Sequence, residues 1–299
     1  MCGLAGVDES TPHKLDIEAT AHTQTIVLPL RCVIPIRDDN PTARRAWVTL
    51  FLIALNVLVY ALVQPHNRHS VVSPPELSSA IAVPDPDLRF TLSYAAIPCE
   101  VLHRRPLSVG EAIATFGRTA NQKSCGLGDP APLFPAKRAE LALLVSMFLH
   151  GGLLHLGGNM LFLWVFGNNI EDRFGRARFL AFYLIGGAVA AFAHIAAQPT
   201  STVPIVGASG AVAAVMGAYL VLYPRAQVTT AFTFFLIFVR RISAAWLLAF
   251  WFVSQFFLSP GSGIAWVAHV GGFIFGAATA LLVRMMAASG ASPAARSHR

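Results

Sequence analysis

A serine hydroxyl, imidazoles and an asparagine amide lie inside otherwise apolar segments of this chain. Together these types can perform acyl transfer: a nucleophile, a base, and donors for an oxyanion. Ser209 falls in residues 206–217, VGASGAVAAVMG, between Gly207 and Gly210 and downstream of Pro204. The glycines allow a tight turn, and the apolar run predicts a helix from about Ile205, with the hydroxyl roughly one turn inside it. First-turn N–H groups have no intrahelical partner and the helix dipole is positive there, so an oxyanion beside the serine is favoured. The same small residues also suit close helix packing in a membrane. The nucleophile elbow of water-soluble hydrolases needs a preceding strand, and none reads upstream of Ser209.

His155 and Asn159 lie four residues apart in HGGLLHLGGN, residues 150–159, and so share one helix face. Polar groups inside a span are costly and face protein, either as site residues or as interhelical hydrogen bonds. His150 stands at the outer end of that helix, where it suits bracing a loop. His269 falls in AHVGGFIFG, residues 268–276, whose Gly272 and Gly276 repeat the spacing that lets helix backbones touch. Gly210, Ala214 and Ala218 form a matching ridge, and contact along the two ridges brings His269 near Ser209. A third, acidic member is missing, since no Asp or Glu occurs after Asp172. A Ser-His dyad is therefore expected. His194 is a rival base without a glycine ridge. No histidines have zinc-type spacing and no phosphate-binding glycine loop is present, so neither metal nor cofactor is expected.

Positioning such groups falls to the apolar segments. With 55% hydrophobic residues, 12% charged and a mean hydropathy of +0.58, the chain reads as an all-α polytopic membrane protein. Six runs can span: 47–63, 155–170, 179–197, 205–223, 242–258 and 264–286. Residues 228–239 are too short to cross and read as an interfacial or re-entrant segment. The net charge of +7 sits at span ends, which marks topology and not nucleic-acid binding. The short loops 198–204 and 259–263 lack Lys and Arg, so both termini are expected to be cytoplasmic. The second, fourth and sixth spans then run inward together, and His155, Asn159, Ser209 and His269 share a depth of roughly 5 to 10 Å below the external face.

Residues 1–32 are expected to be a disordered cytoplasmic tail, 33–286 the membrane domain, and 287–299 a C-terminal cytoplasmic tail. Within the domain, 33–40 reads as a juxtamembrane anchor and 64–140 as a long external loop. There, residues 90–102 are amphipathic enough to lie along the membrane surface. Cys99 and Cys125 both fall in that loop and are expected to form a disulfide. Asn56, in the first span, reads as a helix-packing hydrogen bond.

In combination these motifs resemble those of the rhomboid intramembrane serine proteases. The resemblance covers roughly residues 33–286. It rests on HGGLLHLGGN at the second helix, an ExxxG-like segment over 171–175 with Arg178-Phe179 after it, GASG opening the fourth helix, and AHVGGFIFG in the sixth. It implies a six-transmembrane-helix bundle with a water-filled cavity open to the outside and no cofactor. It also implies Ser209 as nucleophile, His269 as base, His155 and Asn159 as oxyanion donors, and His150 as a loop-stabilising histidine. Ala213 stands where some members carry a tyrosine packed on the catalytic histidine, so the resemblance does not say what orients His269. The Trp-Arg pair of some members is not evident in 64–140. The fifth span, with Trp246, Phe250, Trp251, Phe252, Phe256 and Phe257, resembles a lateral gate for substrate helices and equally suits a lipid-facing surface.

The function expected is cleavage of membrane-protein substrates in or beside their transmembrane helices, near helix-weakening residues. The alternative is a non-catalytic rhomboid-like protein that binds or escorts membrane proteins, against which the presence of both Ser209 and His269 speaks. A transporter is disfavoured, since no inverted repeat and no mid-membrane ionisable pair occurs. Arginine far exceeds lysine, as in GC-rich bacterial genomes. A bacterial inner or plasma membrane is therefore expected, with the site opening to the periplasmic side.

Overall fold

Each of the six apolar runs contains a helix in the computed structural model, which describes residues 2–3, 31–65, 86–116, 121–128, 130–233, 237–257 and 265–290. In chain order the elements are β1 (Cys2–Gly3), β2 (Arg31–Asp38), α1 (Trp47–Leu58, continued by a π-helical turn over Val59–Val63), α2 (Pro86–Tyr94), α3 (Pro98–His103) and α4 (Val109–Phe116). Then come α5 (Ala139–Ser146), α6 (Leu153–Phe174), α7 (Arg176–Ala197), α8 (Ser209–Leu222), β3 (Gln227–Thr233), β4 (Ile237–Ser243), α9 (Ala244–Ser254, continued by a 3-10 turn over Gln255–Phe257) and α10 (Trp266–Gly290). Of these, α7 and α10 are long and apolar enough to cross a membrane, whereas α1, α8 and α9 are shorter apolar helices. The disordered tails expected over 1–32 and 287–299 fall almost wholly outside the described residues.

The bundle is organised around α8, which is buried from Gly210 to Tyr219. A side chain at Gly272 would run into the Gly210 carbonyl, one at Gly276 into the Ala214 carbonyl, and one at Gly217 into the Phe273 carbonyl. Thus α8 and α10 touch backbone to backbone, as small-residue ridges permit. On a third side, a Cβ at Gly210 would lie 2.5 Å from Ala190 Cβ of α7.

The expectation of an all-α chain is corrected by an antiparallel sheet of order β1-β2-β3-β4. The anchor expected over 33–40 is largely strand β2, and the segment read as interfacial or re-entrant is the β3–β4 hairpin. Both hairpin strands are too short to span as helix and are rich in β-branched and aromatic residues, QVTTAFT and IFVRRIS. Pro35 cannot donate to a ladder, and beside it Ile36 bulges out between the pairs Pro35–Thr230 and Arg37–Thr229. Asp38 ties the sheet to the helices: its carboxylate accepts from Tyr219 Oη at 2.7 Å and from Asn169 Nδ2 at 2.5 Å. Burial pushes the Asp38 carboxyl above the usual range. On α6, Glu171 accepts from the N–H groups of Val48 and Thr49 and from the Thr49 hydroxyl, capping the start of α1. Asn56 donates from Nδ2 to the Leu52 carbonyl of its own helix, and its side chain also meets the buried Tyr183 hydroxyl of α7, the helix-packing contact expected of it.

Helices α2 to α4 form a small unit with its own core of Leu92, Ile97, Cys99, Leu107 and Ala112. The surface helix expected over 90–102 is broken, because Pro98 disfavours helix at the residue before it. Ala95, Ala96 and Ile97 are buried there, and Ala96 bridges Ile205. Cys99 and Cys125 are joined by a disulfide with a sequence separation of 26. A loop of that length contributes about 3 kcal/mol by restricting the unfolded chain. Lys137 and Glu100 form a buried ion pair at 2.5 Å.

Glu111 of α4 is fully buried and accepts from Arg105, from the Ser108 N–H at 2.8 Å and from the Gly126 N–H at 2.6 Å. Burial raises this carboxyl, but the bonds from Arg105, Gly126 and Ser108 outweigh it and hold it at about 2, below the ordinary 4.5. A depressed carboxyl stabilises the folded unit above its unfolded value, and that contribution fades as pH falls from about 4.5 through about 2. The hydrogen-exchange protection of the Ser108 and Gly126 amides, taken relative to their intrinsic exchange rates, should therefore fall with acidification in that window. In Glu111→Gln the protection should be low already at neutral pH and lose most of its acid dependence.

Candidate active site

Ser209 is the first residue of α8, not one turn inside it. The helix starts later than expected because residues 205–207 are held extended from outside: the Ile205 N–H donates to the Ala96 carbonyl at 2.8 Å and the Gly207 N–H to the Ser146 carbonyl at 2.9 Å. Gly207 has φ +117°, a conformation that side-chain-bearing residues rarely adopt. Ser209 is half-buried, and the first intrahelical bond runs from the Val212 N–H to the Ala208 carbonyl. The N–H groups of the opening turn thus precede any intrahelical acceptor.

Two side chains of α6 stand against this turn. A Cβ at Gly207 would lie 2.7 Å from Cε1 and Nε2 of His155 and 3.7 Å from Nδ2 of Asn159. The Gly151 N–H donates to His155 Nδ1 at 3.4 Å, so the ring proton resides on Nε2, the atom facing Gly207. Asn159 is 7% exposed and donates from Nδ2 to the His155 carbonyl at 3.0 Å. His150 is buried edge-on to His155, with ring centroids 5.2 Å apart. Its backbone is clasped by the Gln64 amide, which donates to the His150 carbonyl at 3.0 Å and accepts from its N–H at 2.9 Å. Beside it lies a cavity of about 290 Å³ lined by Tyr60, Gln64, Leu88, Thr91 and Pro204.

His269 lies in the first turn of α10. The ridge contact sets Gly210 against Gly272 and leaves a Gly210 Cβ 3.9 Å from the Ala268 carbonyl, so Ser209 and His269 each sit one residue from that junction. The two side chains are not hydrogen-bonded to each other; such bonds often tighten only when substrate binds. His269 Nδ1 instead lies 2.7 Å from Oε1 of Gln255, with the Trp251 ring alongside at 5.8 Å. The sequence reading missed Gln255, whose signal was a polar amide within the aromatic run WFVSQFF. His194 is buried in the last turn of α7. Its neighbour Ala193 packs on Gly271, where a Cβ would lie 2.6 Å from the alanine methyl.

The aromatic residues of α9 divide in two. Trp251 and Phe252 pack on α10 against Phe273, whereas Trp246, Phe250, Phe256 and Phe257 are exposed. Among the described residues, the cluster close enough to hold a metal is Cys99, His103 and Cys125, and its two sulfurs are bonded to each other.

A helical protein in which a serine opens a buried helix, with imidazole and amide groups ranged about its first turn, belongs to a class recognisable from outside the chain. A family model described as the rhomboid domain matches residues 138–286, from α5 to within α10. Rhomboid protein 1, mitochondrial, of Saccharomyces cerevisiae is 29% identical over 147 residues, 46% of this chain and 40% of its own length. RHOMBOID-like protein 6, mitochondrial, of Arabidopsis thaliana is 33% identical over 154 residues, 50% of this chain and 45% of its own. Rhomboid protease GluP of Bacillus subtilis is 40% identical over 78 residues, 26% of this chain and 15% of its own. The chain spans less than half the length of these relatives. It belongs to the rhomboid family.

These relatives correct the compartment. The yeast and plant proteins, matched over longer segments than the Bacillus one, are mitochondrial proteins of eukaryotes and point away from a bacterial plasma membrane. An excess of arginine over lysine reports codon composition. Basic loops report which face of a membrane they occupy, not which membrane it is.

Proposed function

We propose that this chain is an intramembrane serine protease of a mitochondrial membrane, cutting membrane-protein substrates in or next to their transmembrane helices. In this reading residues 33–286 form one six-span rhomboid domain, with 64–140 as a loop on the side of the membrane facing the site. The observation that carries the reading is that His155 and Asn159 stand against Gly207, two residues before Ser209, while Ser209 and His269 flank the close approach of Gly210 to α10.

Ser209 Oγ attacks the scissile carbonyl while His269 Nε2 takes its proton. The resulting oxyanion is held by the Ser209 N–H, the Asn159 amide and the Nε2–H of His155. The C–N bond breaks as His269 returns the proton to the leaving amine. Water, deprotonated by the same imidazole, then releases the acyl group. A peptide bond inside a helix is shielded by its own hydrogen bonding, so Gly, Ala or Pro near the cut eases the local unwinding.

The test is labelling of detergent-solubilised protein with a fluorophosphonate. Wild type and His194→Ala are expected to label, and Ser209→Ala and His269→Ala are not. Folded wild type that neither labels nor cleaves a transmembrane reporter would replace the protease reading with that of a protein that binds or escorts membrane proteins. Labelling that survives in His269→Ala and vanishes in His194→Ala would move the base to α7.

A further inference from the structure

We infer that Gln255 is the positioning residue of His269: its side-chain oxygen accepts the Nδ1–H and so holds the imidazole in the tautomer whose Nε2 lone pair is free. The inference rests on the reading of His269 as the base of Ser209. The bond is 2.7 Å long and Gln255 is 5% exposed, so water does not compete for it.

The direction of the bond follows from the other end of the amide. Gln255 Nε2 donates to the Trp251 carbonyl at 3.0 Å and to Ser254 Oγ at 3.2 Å. Ser254 Oγ in turn gives its own proton to the same Trp251 carbonyl at 2.6 Å, which leaves its lone pairs to accept. Rotating the amide by half a turn would set its oxygen against the Trp251 carbonyl, two acceptors in contact with no proton between them. The oxygen therefore faces the ring, Nδ1 carries the proton, and Nε2 is the basic nitrogen. The Trp251 ring walls one side of the imidazole and limits its rotation.

An amide suits this place for a second reason. The chain has no Asp or Glu beyond Asp172 that could take the orienting role. A buried carboxylate here would need its charge compensated, whereas the amide oxygen supplies the acceptor without one. A serine hydrolase whose imidazole is left in the wrong tautomer loses about 10⁴ in rate, which sets the scale of what an orienting acceptor contributes.

The experiment compares wild type with Gln255→Met, which keeps the volume and removes the acceptor, and Gln255→Glu, whose neutral acid form, favoured by burial, keeps an acceptor for the Nδ1–H and a donor to the Trp251 carbonyl. Each is read by the rate of fluorophosphonate acylation and by the ¹⁵N shifts of the His269 ring, identified by its loss in His269→Ala. Wild type should show one tautomer with Nδ1 protonated. Gln255→Met should show a mixture of tautomers and acylate at least about 100-fold more slowly, whereas Gln255→Glu should stay within about tenfold of wild type. A purely structural role would alter thermal stability without moving the ring tautomer. Acylation of folded Gln255→Met at the wild-type rate, or an unchanged tautomer in it, overturns the inference. Wild type that shows the Nδ1–H tautomer yet never labels overturns the protease reading instead, and the base-positioning role falls with it.

Discussion

Gly276→Val should cost the protein its fold. The added Cβ would be driven into the Ala214 carbonyl, an atom of helix backbone that cannot step aside as a side chain could. Relief requires α8 and α10 to separate along their length, and with them the neighbouring contacts of Gly272 on Gly210 and Gly217 on Phe273. A loss above about 4 kcal/mol is expected, a large part of the stability of a typical domain. Thermal unfolding in detergent and size-exclusion profiles would read it as a collapsed midpoint or as aggregate. Gly157→Ala is the control. Gly157 lies in α6 between His155 and Asn159, yet nothing stands within 4 Å of a Cβ there. Alanine at that helical position should be neutral or stabilising by up to about 1 kcal/mol. Equal damage from both variants would mean that the glycines of this chain are not distinguished by the ridge contact.

On the proposed protease reading, Gly207→Ala should do the reverse, leaving a folded protein with little proteolytic activity. At φ +117° an alanine is strained by about 1 to 3 kcal/mol wherever its neighbours lie. The neighbour in its path is the movable end of His155, 2.7 Å away. The ring can turn aside, so the fold survives at a modest cost. In turning, it withdraws the Nε2–H from the turn before Ser209. Loss of one oxyanion donor costs about 2.7 to 4 kcal/mol in the barrier, or 10²- to 10³-fold in kcat, and relaxation of the strained turn would displace Ser209 as well. Wild-type kcat in folded Gly207→Ala would show that the close approach of His155 has no bearing on turnover.

What could be read from sequence followed from how local the determining physics was. The α8–α10 contact was legible because a four-residue spacing of Gly and Ala has one physical use that side-chain-bearing residues cannot serve, namely close backbone approach. The start of α8 was misplaced by about a turn. Pro204 and Gly207 announce irregular backbone, but what holds 205–207 extended is the pair Ala96 and Ser146, both remote in sequence. The sheet was missed for the same reason: β2 and β3 are each unremarkable until paired, and no periodicity names a partner. Gln255 was overlooked because the surrounding Trp and Phe residues read as a lipid or gate surface. Its meaning comes only from the orientation of His269, fourteen residues on and on another helix. The small unit around Leu92 and Ile97 was hidden because helices of six to nine residues span too few turns to set up a sustained periodicity.

The register of β2 against β3 joins the segment that precedes α1 to the link between α8 and α9. During synthesis β2 has only the two-residue strand β1 to pair with until α1, α6, α7 and α8 have all been made. The sheet is thus among the last long-range structures that can close, and a closure of such high contact order is slow. Through that interval the Val-Ile-Pro-Ile run of β2 exposes an open ladder. Pro35 and the Ile36 bulge interrupt the edge that a second nascent chain could otherwise copy. On the opposite edge, Arg240 and Arg241 of β4 remain exposed beside Ile237, Phe238 and Val239 and guard that strand by charge after the fold is complete. The same residues that make the sheet hard to foresee also keep it from assembling with a neighbouring chain.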